Sequence, residues 1–163
     1  MIENTIYIIV ASAVAAATSI FFIFPLLGIY EIIFRGRKLK KQNNYALPVC
    51  AQTEQQKEYM LSVIESLINY PYEEVSIRAK DGGLLYAKYF QVKEGAPVDI
   101  CFRGYHGTGI RDMSGYAKVA MDAGHNLLIV DMRAHGKSKG KHLTFGQKES
   151  VDCKRWISYV INR

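Results

Sequence analysis

Two short segments hold most of the residue types that could do chemistry. The first, Arg103-Gly104-Tyr105-His106-Gly107-Thr108-Gly109, is a glycine-rich run that follows the apolar stretch Val98–Phe102. Glycines let a backbone approach a ligand closely and aim its N–H groups at a developing negative charge, which is what an oxyanion hole demands. A loop leaving the carboxyl end of a buried strand is also where α/β proteins place their sites. The second segment, Asp131-Met132-Arg133-Ala134-His135-Gly136-Lys137-Ser138, follows the apolar stretch Leu127–Val130.

Two readings of the second segment are set aside. Gly136-Lys137-Ser138-Lys139-Gly140 fits G-x-S-x-G. A nucleophilic serine of that kind needs a sharp turn between a strand and the helix it opens. Here the strand ends near Asp131, and a polar loop with Lys141, His142 and Thr144 comes before the next helix. Gly136-Lys137-Ser138 also resembles the end of a P-loop, but the earlier glycine that motif requires is Asp131. The run Lys137, Lys139, Lys141 reads as a solvated loop. His125 reads as packed or exposed rather than as a ligand.

The elements that must position these loops follow from periodicity. Apolar residues at helical spacing (Tyr59, Met60, Val63, Ile64, Leu67, Ile68) predict a helix over Thr53–Asn69, with Thr53 as cap and Gln56 three residues on. Pro71 follows its end. Glu74–Ala79 and Leu84–Val92 alternate around Asp81-Gly82-Gly83, a hairpin signal. Val98–Phe102 and Leu127–Val130 are short apolar strands. Between them Asp112–Ala123 reads as a helix, with Asp112 as N-cap and Gly124 at the C-terminal glycine position. Phe145–Ile161 reads as a last helix, with Val151, Trp156, Ile157 and Val160 facing inward. A hairpin followed by β-α-β-α predicts an α/β fold with a partly parallel sheet.

In this order, each after a strand, the two segments resemble the alpha/beta-hydrolase superfamily, and within it serine aminopeptidase-like and lysophospholipase-like members. The second segment is similar to the D-x-R-G-H-G-x-S stretch after the fourth strand, with Ala134 where a glycine is usual. The resemblance covers roughly residues 73–163. It implies that His106, Gly107 and Thr108 form the oxyanion-hole loop, with the Thr108 N–H as one donor. It also implies that Asp131, Arg133, His135, Gly136 and Ser138 hold the loop after the fourth strand, and that His135 is not the catalytic histidine. The family's serine nucleophile, acid and histidine come further along than Arg163, so none of the three is assigned here. The expected reaction of a complete relative is acyl transfer from an ester or amide, with no metal or organic cofactor, and the chain as written is expected to be inactive.

The same resemblance places the Val98–Phe102 strand between the fourth and a fifth, so that here it becomes an apolar sheet edge. A second reading is therefore a non-catalytic, hydrolase-derived membrane protein that binds a partner along that edge. A small Rossmann-like domain is disfavoured, because the loop does not read G-x-G-x-x-G and no acidic ribose partner is evident.

The amino terminus adds a different element. Asn4–Tyr30 is a run of 27 uncharged residues. At ~1.5 Å per residue a helix of that length reaches ~40 Å, enough to cross the ~30 Å hydrocarbon core. Pro25 is expected to kink it, which membrane helices tolerate. A cleaved signal peptide fits poorly, because no Lys or Arg precedes residue 35. Arg35, Arg37, Lys38, Lys40 and Lys41 follow the span, which predicts the amino terminus outside and the rest cytoplasmic, at the cell membrane. These cations also suit anionic headgroups, so the bilayer is the expected partner. The reading is thus a transmembrane anchor (1–34), a basic juxtamembrane linker (35–52) and a hydrolase-like domain (53–163).

Charge and cysteine use limit the alternatives. The whole chain carries a formal +6, but residues 53–163 hold 16 Lys+Arg against 13 Asp+Glu. That near balance gives no reason to expect nucleic-acid binding. Cys50, Cys101 and Cys153 are few and widely spaced, with no metal-ligand pattern among them and the four histidines. They suit a reducing compartment, and Cys101 reads as a small core residue.

Overall fold

The computed structural model of the chain describes residues 2–34, 45, 47, 50–105 and 107–163. The chain divides into two compact units, 1–35 and 36–163. The basic linker 35–52 lies outside the described residues except for Tyr45, Leu47 and residues 50–52.

The first unit is one helix, α1 (Ile2–Phe34), which runs through Pro25. Its stretch Asn4–Phe34 is long and apolar enough to cross a membrane. Large apolar side chains such as Phe21 and Phe24 are exposed all around it. Its hydroxyls are satisfied within the helix: Ser12 Oγ donates to the Ile9 carbonyl and Thr18 Oγ1 to that of Val14.

The second unit begins with α2 (Ala51–Asn69), two residues before the predicted start. Thr53 is not its cap. Cys50 holds the extended cap position, and Thr53 Oγ1 lies 2.9 Å from Cys50 Sγ inside the first turn. Val63, Ile64 and Leu67 are buried as the spacing predicts, whereas Tyr59 is exposed.

Four strands make the sheet: β1 (Glu73–Arg78), β2 (Leu84–Phe90), β3 (Val98–Phe102) and β4 (Asn126–Asp131). Their order is β1-β2-β4-β3. β2 lies antiparallel to β1 and to β4, while β3 and β4 run parallel. Helix α3 (Gly109–Asp122) makes the crossover between β3 and β4, and α4 (Glu149–Ile161) follows β4. The result is an α/β fold with an open, partly parallel sheet.

Helices cover both faces of the sheet. Ile64 and Leu67 of α2 and Ala117 and Ala120 of α3 pack with Phe90, Cys101, Leu127 and Ile129. On the other face Trp156 of α4 packs with Val75, Leu85, Ala87, Leu128 and Val130. Successive β4 residues alternate between these cores, so all six are buried and the strand reads as a continuous apolar run. Trp156 is fully buried, and truncating such a side chain to alanine costs about 3–5 kcal/mol.

Two further helix starts differ from expectation. α3 begins at Gly109, capped by Thr108, whose Oγ1 accepts from the Arg111 N–H at 3.3 Å; Asp112 lies inside the first turn. α4 begins at Glu149 rather than Phe145, because Phe145 (φ 44°) and Gly146 (φ 97°) both adopt left-handed conformations that a right-handed helix cannot include. Ile157 is exposed rather than inward, and the buried α4 positions are Glu149, Asp152 and Trp156.

Candidate functional site

The two loops named from the sequence both leave the carboxyl ends of parallel strands. The register pairs Phe102 with Val130, so β3 and β4 end side by side. The first loop runs from Arg103, which is buried, to Thr108 at the head of α3. His106 lies outside the described residues. Gly107 is there for space: a Cβ would stand 1.6 Å from Asp112 Oδ2. Its own N–H points back to the Gly104 carbonyl at 3.4 Å.

Thr108 is buried and its acceptors are all engaged by α3. Its carbonyl accepts from the Asp112 N–H, and its hydroxyl from that of Arg111. Its own N–H makes no hydrogen bond among the described residues. An anion placed at the amino end of α3 gains from the helix dipole's positive pole and from any backbone N–H left unpaired beside it. At the loop's outer side Tyr105 stacks on Phe145, with ring centroids 5.7 Å apart.

The second loop is tied down residue by residue. Asp131 Oδ2 accepts from the Lys137 N–H at 3.1 Å, and its carboxylate occupies the place where a Gly136 Cβ would be, 2.0 Å away. Gly136 also has φ 49°, so only glycine fits. Ser138 is fully buried: its hydroxyl donates to the Asp131 carbonyl at 2.5 Å and accepts from the Tyr86 N–H at 2.8 Å. That hydroxyl joins β2 to the end of β4 and is not presented to a substrate. His135 is 2 % exposed, with Nδ1 donating to the Arg133 carbonyl at 2.9 Å. The acceptor is a carbonyl, so Nδ1 carries the proton.

Arg133 forms the centre of a clamp that sequence reasoning did not identify. Its Nε and Nη2 grip Asp152 of α4 at 2.9 and 3.0 Å, and its Nη1 reaches Asp81 of the β1–β2 turn at 2.6 Å. The Arg133 bond, and then the Gly83 N–H, hold the Asp81 carboxyl below its ordinary value. Glu149 plays a similar part at the start of α4. Burial pushes its carboxyl up, but bonds from the Thr144 hydroxyl and the Thr144 and Gly146 N–H groups outweigh this and hold it below the ordinary range. Asp152 and Glu149 lie at i and i−3 on the Trp156 face, which is the one pattern that could have marked them as inward-facing.

At the opposite end of the sheet, Asp99 Oδ2 lies 2.9 Å from Tyr116 OH and 3.0 Å from His125 Nδ1. This cluster fastens α3 to β3. Among the described residues no group of three His, Cys, Asp or Glu side chains is placed to hold a metal ion.

The fold has solved counterparts. Two crystal forms of the Pyrococcus furiosus esterase Pf2001 match with TM-score 0.54 at 28% and 29% identity, over 61% of this chain and 38% and 39% of theirs. The alpha/beta hydrolase GrgF from Penicillium sp. sh18 matches in fold at 20% identity and TM-score 0.51, over 55% of this chain and 32% of its own. This chain therefore spans less than two-fifths of the length of these structures. No family model matches, and no curated protein does. Over this partial stretch the chain shares the fold of these esterase and alpha/beta-hydrolase structures.

Proposed function

We propose that this chain carries the oxyanion-stabilising part of a membrane-anchored serine hydrolase, which cleaves an ester or amide by acyl transfer. The observation that carries this reading is the N–H of the buried Thr108, without an acceptor among the described residues, at the head of α3 and the carboxyl end of the sheet. In this reading a serine attacks the substrate carbonyl and a histidine moves the proton, both from elsewhere in the complete enzyme. The Thr108 N–H and the dipole of α3 meet the oxygen as it becomes negative. One such donor is worth about 3 kcal/mol, or roughly 100- to 1000-fold in rate. The loop from Asp131 to Ser138 is the brace that keeps β4 and β2 fixed beside that donor. α1 anchors the enzyme, with the cations after it holding the domain on the cytoplasmic side.

The test starts from native membranes. The protein is extracted in detergent, captured with an antibody raised against residues 53–163, weighed intact and treated with a fluorophosphonate probe. The expected outcome is covalent labelling of a serine in the captured polypeptide. A polypeptide of 18.4 kDa that takes no label would overturn the proposal. It would favour instead a partner-binding role, for which the outer edge of β3, unpaired among the described residues, is the natural surface.

A further inference from the structure

The β1–β2 turn and the loop from Met132 to Lys148 face each other across a cleft of about 810 Å³. It opens at the same end of the sheet as Thr108, because Tyr86 at the start of β2 pairs with Asp131 at the end of β4. Its lining is strongly cationic: Arg133, Lys137, Lys139, Lys141 and Lys148 against one carboxylate, Asp81. A smaller hollow that shares Asp81, Arg133 and Lys148 with the cleft adds Lys80.

These cations are not equivalent. Arg133 is fully engaged by Asp152 and Asp81, and Lys137 pairs with Glu74. Lys148 lies 3.8 Å from Asp81, which is already bonded to Arg133. Lys139 and Lys141 are exposed and have no carboxylate partner among the described residues. The stem of Lys139 is placed rather than loose. It lies over Gly83, where a Cβ would stand 3.3 Å from Lys139 Cβ, and its backbone is held by Leu84 and Ala134. Concave walls focus the field of such charges toward the cleft mouth.

We propose that this cleft binds a phosphate group, held by Lys139 and Lys141 with Lys148 at its rim. The saturated Arg133 leaves no planar fork to clasp a carboxylate from two sides. Separate lysine ammonium groups are point charges that suit a dianion with three outward oxygens. The phosphate could be carried by a membrane lipid headgroup or by a soluble ester, and the chemistry of recognition is the same. This site is separate from Thr108, and the proposal does not depend on the acyl-transfer reading.

The full chain is reconstituted in phosphatidylcholine nanodiscs and its melting followed through Trp156, the only tryptophan and a fully buried one. Inorganic pyrophosphate is then titrated in at constant ionic strength. Binding to the folded state raises the melting temperature in proportion to its saturation. The expected result is a saturable rise that sodium chloride does not reproduce. In the double variant Lys139→Gln/Lys141→Gln the unliganded melt is unchanged and affinity falls about tenfold or more, as loss of charge-assisted bonds requires. Lys139→Arg/Lys141→Arg restores it. Discs containing phosphatidic acid separate the two sources. A lipid phosphate raises the melt by itself and abolishes the pyrophosphate response, whereas a soluble-phosphate site responds to pyrophosphate equally in both discs. Absence of any rise with either probe, or a full response in the glutamine variant, overturns the proposal.

Discussion

Ala134 shows how a single position can be visible in a sequence while its meaning is not. It stands where the resemblance to a D-x-R-G-H-G-x-S stretch leads one to expect glycine, and composition alone makes that a small change. In the structure Ala134 is fully buried with φ 64°, a conformation in which Cβ crowds the backbone. Ala134→Gly is therefore expected to stabilise the domain by roughly 1 kcal/mol, read as a higher denaturation midpoint. Two positions on, the opposite holds. Gly136→Ala drives a methyl into the Asp131 carboxylate, and a loss of about 2 kcal/mol or more is expected by the same measurement. The thiols differ just as sharply. Cys101 is buried, and burial, helped by Asp99, pushes its thiol up to about 11. A thiol reagent should modify the exposed Cys50 first and reach Cys101 only after unfolding; equal rates in the native protein would contradict this.

At the level of elements, the strands were legible because their apolar residues alternate or run together, and α2 because its buried residues recur at helical spacing. The start of α4 was not legible. Left-handed backbone at Phe145 is invisible in a side-chain pattern, and the buried face of α4 begins with two carboxylates that hydrophobicity alone assigns to solvent. What buries them is the clamp. Arg133→Met would leave Asp152 buried without a counter-charge, and a loss of about 3–5 kcal/mol is expected in chemical denaturation. The clamp and the α4 start also set an acid limit. Asp81 and Glu149 both titrate below their ordinary values of 3.8 and 4.5 in the folded state. The unfolded chain thus binds their protons first. Their stabilisation is complete above those ordinary values and is lost as pH falls through and below them. Glu149→Gln should lower stability at neutral pH and flatten its decline below about pH 4.5; an unchanged acid slope would show that Glu149 is not its source.

For the whole molecule, the sequence carried the fold class but not the full order β1-β2-β4-β3: resemblance placed β3 beside β4, and the rest was not legible because strand pairing leaves no local trace. That order leaves the outer edge of β3 without a partner among the described residues. A segment of residues 53–163 is expected to elute from size exclusion as self-associated species, and a sharp monomer peak with a cooperative melt would count against it. The order of the strands also has a consequence in time. Synthesis delivers β1 and β2 together as a hairpin, but the other flank of β2 must wait for β4, until Asp131 arrives opposite Tyr86. Throughout that interval the nascent chain leaves one side of β2 bare, as far as Phe90, a residue the finished fold hides from water altogether. Of the four strands, β4 is made last and joins β2 to β3, so this stretch of chain passes through its most chaperone-dependent moment while β4 is still being made.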